Sequence, residues 1–252
     1  MNNSRSIMAV SLFLGIVAFM GVLTLAPVDS PQRRTPSPSS PGLSQLIGSI
    51  RTALVEDRIL GAVNLAENAV TLHPERADAW MWLGITAERN GDPTTAMDAG
   101  RVQLELLGEP DRVPDAPVSG WTAVSDRLYR SAWAHRLVGE EERARSLFAQ
   151  AGDALEREAG IHATQFSEYN LACYRALAGE HDRAADHFAR AVDNGYRFDN
   201  GWWDADPDLD PIREHPVFRR AAERLRERLE EHGSRTGPDP EASDGGESTA
   251  EG

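Results

Sequence analysis

Residues 79–100 read AWMWLGITAERNGDPTTAMDAG, and the fold of the whole chain can be read outward from them. Trp80, Leu83 and Gly84 stand at the spacing W-x2-LG, a Gly91-Asp92-Pro93 turn follows, and Ala96 lies just beyond it. That order predicts two helices joined by a tight turn, with the glycine taking the left-handed conformation at a helix end. The pattern recurs with a period of about 34 residues. A first unit covers 43–76 and a second 77–110. Two later units, 125–158 and 165–198, share the skeleton. One contains Ala132, Gly139, Ala144, Phe148 and Ala151; the other contains Ala172, Gly179, Ala184, Phe188 and Ala191. The equivalent alanines after each turn are Ala62, Ala96, Ala144 and Ala184. Only the first pair is separated by a single period, so an insert follows the second unit and a shorter one follows the third. The first insert contains DRVPDAPVSG, a loop by its proline and glycine content.

The pattern has a steric origin. Two antiparallel helices approach closely only where small residues face each other, and bulkier ones fill the gaps between units. Of the twelve positions equivalent to the eighth, twentieth and twenty-seventh of a unit, ten are alanine or glycine, with Ile50 and Gln103 as exceptions. Any alanine-rich hairpin shows some of this, but four units in phase specify a stacked array.

These residues resemble the tetratricopeptide repeat (TPR), a helix-turn-helix unit of about 34 residues. Ala87 and Gly100 replace the tyrosine and phenylalanine usual in that repeat, whereas A-x3-F is intact from Ala144 to Phe148 and from Ala184 to Phe188. The segment after the fourth unit is similar to the "TPR end-of-group" unit of bacterial arrays. It carries Asn170, Ala172 and Cys173, then Asp206, Asp208, Leu209, Ile212, Arg213, Pro216 and Phe218. From Pro216 onward, Val217, Phe218, Ala221, Ala222, Leu225 and Leu229 mark one apolar face on a charged helix, suited to capping the last repeat. The resemblance spans residues 43–232 and implies an all-α, TPR-type solenoid of helical hairpins, wound as a right-handed superhelix with a C-terminal capping helix.

It also implies a binding surface. In such arrays the first helix of each unit lines a concave groove, which here points to Met81, Ile85 and Arg89, to Tyr129, Trp133 and Arg136, and to Phe166 and Tyr169. Aromatic and methionine anchors beside arginine suit a peptide or helix groove. The alternative is that these residues pack against neighbouring helices or the array's own linkers. The lysine and asparagine clamp that some relatives use on a C-terminal carboxylate is not reproduced.

Composition excludes several function classes. Net charge is -14 and pI about 4.9, so a phosphate backbone or an anionic lipid surface meets repulsion. All 26 basic residues are arginine, which rules out a phosphate-loop lysine, a Schiff base and a lysine base. Cys173 is the single cysteine and reads as a packed helix residue, without the electropositive setting of a reactive thiol. The seven histidines show no HExxH or H-x3-H pairing, and no GxSxG elbow occurs. Asp204, Asp206, Asp208 and Asp210 alternate, but counting from Asp204 a calcium loop needs glycine where Leu209 stands and a bidentate acid where His215 stands. Turn formation and helix capping beside prolines account for them. We therefore expect no catalytic residues, no metal and no cofactor.

The two ends differ from the middle. Residues 7–26 carry no charge over twenty positions, about 30 Å as a helix, enough to cross a bilayer as an anchor or to serve as a cleaved signal. Residues 27–42 form a Pro/Ser-rich linker, and residues 233–252, with five acids against one arginine, read as a disordered acidic tail.

The expectation is a membrane-anchored or exported scaffold that binds a protein or peptide, with the bulk of the chain extracytoplasmic, and that meets neither nucleic acid nor a small-molecule substrate. Two alternatives stand beside it: a metal-assisted hydrolase or transferase using residues 199–210, and a purely structural spacer.

Overall fold

The computed structural model describes residues 41–108, 121–159, 163–197 and 201–235. The apolar run 7–26, the linker up to residue 40, the DRVPDAPVSG loop and the tail beyond residue 235 lie outside the described residues. Among those described there is no strand, and no helix is long and apolar enough to cross a membrane.

Eight helices form four successive hairpins: α1 (Leu43–Val55) with α2 (Ile59–Leu72), α3 (Ala77–Arg89) with α4 (Pro93–Leu107), α5 (Trp121–Leu137) with α6 (Glu141–Ala159), and α7 (Gln165–Leu177) with α8 (His181–Asp193). Each hairpin packs on the next through α2 and α3, α4 and α5, and α6 and α7. This is the TPR-like arrangement that the repeat period predicts. Helix α5 begins at Trp121, ahead of the unit boundary at residue 125, so the end of the first insert is helical. The turn at Gly91 is built as expected: φ is +74° there, the Asp92 side chain accepts from the Thr95 N–H, and Pro93 occupies the first helical turn, where its missing donor costs nothing. Gly139 and Gly179 adopt the same left-handed backbone.

All twelve small-residue positions are buried. The two exceptions to alanine and glycine have separate reasons. Ile50 fills the core of the first hairpin. Gln103 reaches across to α5, where its amide donates to the Arg130 carbonyl at 2.9 Å. Gly84 shows why bulk is excluded: an added Cβ would stand 2.4 Å from Leu137 Cδ1. Between α6 and α7 a buried ion cluster adds to the packing: Arg175, 1% exposed, pairs with Asp153 and Glu156 of α6 and with Glu180.

The chain then turns back. A short helix α9 (Trp202–Ala205) and a 3-10 segment (Pro207–Ile212) form a strap, and α10 (Pro216–Arg235) packs on α8 as the capping helix. Adjacent tryptophans face different partners. Trp202 lies edge-on to Trp82 of α3, whereas Trp203 packs on Phe188 of α8, which also meets Phe218 of α10 in a tilted contact at 4.4 Å. Helix α10 continues to Arg235, past the boundary at 232 read from the sequence.

Candidate functional site

The first helices of the four hairpins line one face, and the strap lies across it. Helix α9 meets α1, and the 3-10 segment meets α7 and α8. Three side chains named from the sequence hold the strap: the Tyr129 hydroxyl donates to Asp208 Oδ2 at 2.8 Å, the Tyr169 hydroxyl to Asp206 Oδ2 at 2.6 Å, and Arg89 pairs with Asp210 at 2.9 Å. Leu209 and Ile212 are fully buried between them and the array. The concave face is therefore partly filled by the chain itself.

A cavity of about 470 Å³ remains beside the strap. All four first helices contribute to it: Ile47 and Arg51 from α1; Asp78, Met81 and Trp82 from α3; Asp126, Tyr129 and Arg130 from α5; and Phe166, Tyr169, Asn170, Cys173 and Tyr174 from α7. Trp202, Asp206 and Asp208 of the strap complete the wall.

Of the eight groove residues named from the sequence, Met81, Tyr129, Phe166 and Tyr169 meet at this cavity. The other four do not line it. Ile85 and Trp133 are buried in the core, Arg136 lies over the Trp133 ring at 4.7 Å and pairs with Glu88, and Arg89 is committed to the strap. Ile85 and Trp133 thus serve packing. Phe166 is the exposed apolar member at 52%.

The electrostatics centre on the strap. Asp206 and Asp208 are 5% and 6% exposed. Burial raises the Asp206 carboxyl above the usual range, and burial followed by repulsion from Asp206 pushes Asp208 up further. The Tyr129 and Tyr169 hydroxyls are held well above their ordinary value by burial and then by the facing aspartates, so they stay protonated donors. Positive charge reaches Asp208 from Arg136 and then Arg51, and Asp206 from Arg51, whose guanidinium lies 5.3 Å from the Trp82 ring centre and 5.1 Å from that of Trp202.

Asp204 and Asp210 part from this pair: Asp204 joins Arg226 and Arg213, and Asp210 joins Arg89 and Arg213. The alternating acids do not converge on one point. Capping holds for Asp206, whose side chain accepts from the Asp208 N–H at 3.0 Å. A smaller set does converge, since Cys173 Sγ and one oxygen each of Asp206 and Asp208 lie within 4.8 Å of one another. Burial, and then Asp206, push the Cys173 thiol well up, and its Sγ sits 3.9 Å from Asp206 Oδ2. A metal there would have to displace the thiol proton and compete with two tyrosine donors.

Sequence reasoning missed Arg51, Arg130 and the inward turn of Asp206 and Asp208. The signal for the strap was present as two adjacent tryptophans inside an acidic segment, a pairing that solvent does not favour. Nothing local marked Arg51.

No family model and no curated protein sequence matches the chain. Among solved structures it is similar to MamA protein, at 16% identity and a TM-score of 0.29 over 78% of this chain and 96% of that one. It is similar to YrrB, "a TPR protein with an unusual peptide-binding site", at 12% identity and 0.31 over 77% and 92%. A thermophilic TPR protein of Thermus thermophilus, TTC0263, aligns at 18% and 0.32 over 73% and 99%. These superpositions are loose. The hairpins themselves define the class, a TPR-like helical repeat array.

Proposed function

We propose that this chain is a non-enzymatic interaction scaffold that takes a segment of a protein partner into the cavity on its concave face. One observation carries the reading: the first helices of all four hairpins converge on a single open cavity, with the strap as one wall. Cavities shared by several rigid elements are where repeat arrays place recognition, because stacking fixes the geometry without loops.

The strap is a permanent wall rather than a displaceable guest. Releasing it would expose Trp202, Trp203, Leu209 and Ile212, at about 1.5–3 kcal/mol for each large side chain. The partner therefore enters beside the strap, at the rim formed by Phe166 and Asn170.

The uncharged run 7–26 supports a further proposal, that the scaffold is held at or exported across a membrane. Protease access in intact cells tests that separately.

The scaffold reading is tested by proximity labelling and co-purification of the full chain, wild type against Phe166→Ala. Phe166 is half exposed and meets Tyr196 edge-on, so truncating it opens no sealed cavity and the fold is expected to persist. We expect the specific partner to be lost with the thermal melt unchanged. Undiminished capture of the same partner by the variant would remove the cavity from consideration.

A further inference from the structure

The cavity wall has an uneven charge balance. Four carboxylates and two guanidinium groups line it. Arg130 is spoken for by Asp78, at 2.7 Å, and Arg76 also reaches that aspartate. Asp206 and Asp208 stand together, buried, with neutral donors as their closest partners: tyrosine hydroxyls, the Asp208 N–H and the Trp202 side chain. Asp208 Oδ1 has no hydrogen-bond partner at all among the described residues, although a buried carboxylate oxygen ordinarily finds one. Two cations act on the pair through space: Arg136 on Asp208, and Arg51, which is held by ring faces, on both; neither donates to the carboxylates.

Two features of this wall are those that recognise positive charge. Aromatic faces attract cations through the ring quadrupole, and Arg51 already sits on two of them. A carboxylate pair in a dry setting gains most from a cation, because the charges are poorly screened there and repel each other when alone. The chain as a whole, at -14, would draw a basic segment toward it and hold an acidic one off.

We propose that the cavity binds a guanidinium or ammonium group, seated against the Asp206–Asp208 pair and the aromatic wall. The proposal rests on the scaffold reading and names the chemistry of its partner: an arginine or lysine side chain presented by a basic segment. A free organic amine offers the same chemistry and is separated from it by the test. A single metal ion at Cys173, Asp206 and Asp208 is the competing occupant. It is disfavoured by the tyrosine hydroxyls that already donate to both carboxylates and by burial, which holds the thiol protonated.

The test uses the full chain in mild detergent and follows tryptophan fluorescence and calorimetric heat, since Trp82 and Trp202 line the site. The probes are a capped glycine–serine peptide carrying one arginine, the same peptide with citrulline, the same with glutamate, and n-butylguanidinium alone. Citrulline keeps the shape of arginine and removes its charge. We expect saturable binding of the arginine peptide, weakened about ten-fold or more by citrulline, with none for glutamate. Asp208→Asn should weaken the arginine peptide by a similar factor. Glu141→Gln with Glu142→Gln, at the far end of α6, should leave it unchanged.

If n-butylguanidinium binds as tightly as the peptide, the cation site stands and its ligand is a small amine. Equal binding of arginine and citrulline peptides would overturn the proposal, as would failure of every cationic probe to saturate. Equal weakening by the remote glutamine pair would reduce the effect to bulk charge and overturn it too. Stoichiometric metal in the purified chain, lost in Cys173→Ser, would assign the carboxylates to an ion instead. If the cation test fails while Phe166→Ala still loses the partner, the scaffold reading survives without this chemistry.

Discussion

The strap and the cavity rim meet on one helix, α7, yet they have opposite fates. At the strap, Trp203, Leu209 and Ile212 are sealed against α7, α8 and α10, and the aspartates are fixed by tyrosines. At the rim, Phe166 and Asn170 face outward beside an open cavity. The difference is one of tethering. A segment joined to the array binds at high effective concentration and can fold as core, whereas an untethered partner must bring its own binding energy. A concave face in a repeat array is thus no single surface; this one is part core and part site.

Mutation should separate the two regions by magnitude. Trp203→Ala empties a fully packed position between Phe188 and the Arg226 guanidinium, and we expect it to cost about 3–5 kcal/mol in urea unfolding. A loss below about 1 kcal/mol would mean that the strap is not part of the cooperative core.

The second contrast is in pH. The folded-state carboxyl of Asp208 is raised, so its protonated form is favoured by folding. Its contribution is complete below the unfolded value of about 3.9 and is lost as pH rises through the folded value. Glu156, whose burial is outweighed by the combined pull of Arg175 and Arg183 so that its carboxyl is depressed, behaves in the other sense and loses its contribution as pH falls through its folded value. Asp208→Asn keeps an oxygen for the Tyr129 hydroxyl but no buried charge. Its urea midpoint should therefore gain on wild type as pH is raised from about 4 to about 8. A constant offset between the two proteins would show that Asp208 does not titrate as its burial requires.

The smallest effect belongs to the rim. Phe166→Ala should change stability by less than about 0.5 kcal/mol, because the side chain is half exposed and its removal opens no sealed cavity. A larger loss would move Phe166 from the site into the core and blur the distinction between the regions.

The groove positions carried over from the resemblance were legible unevenly, and the reason is physical. Met81, Tyr129, Phe166 and Tyr169 reach the cavity because the first helix of each unit presents the same face at each repeat. Ile85, Arg89, Trp133 and Arg136 lie on those helices too, but core packing or the strap's arm claims them. A helical face can be read from periodicity. What comes to lie on it cannot.

The sequence alone determined the hairpins, their order, the glycine turns and the twelve close-contact positions, since each depends on near neighbours along a helix or on the same unit one period later. Tertiary structure alone decided that Asp206 and Asp208 turn inward, that Arg51 rests on two tryptophans, and that Ile85 and Trp133 are core while Arg89 and Arg136 are spent on ion pairs. Those facts join residues such as Tyr129 and Asp208, 79 positions apart. No local pattern encodes such a pairing, because it exists only after the array has stacked and the chain has folded back across it.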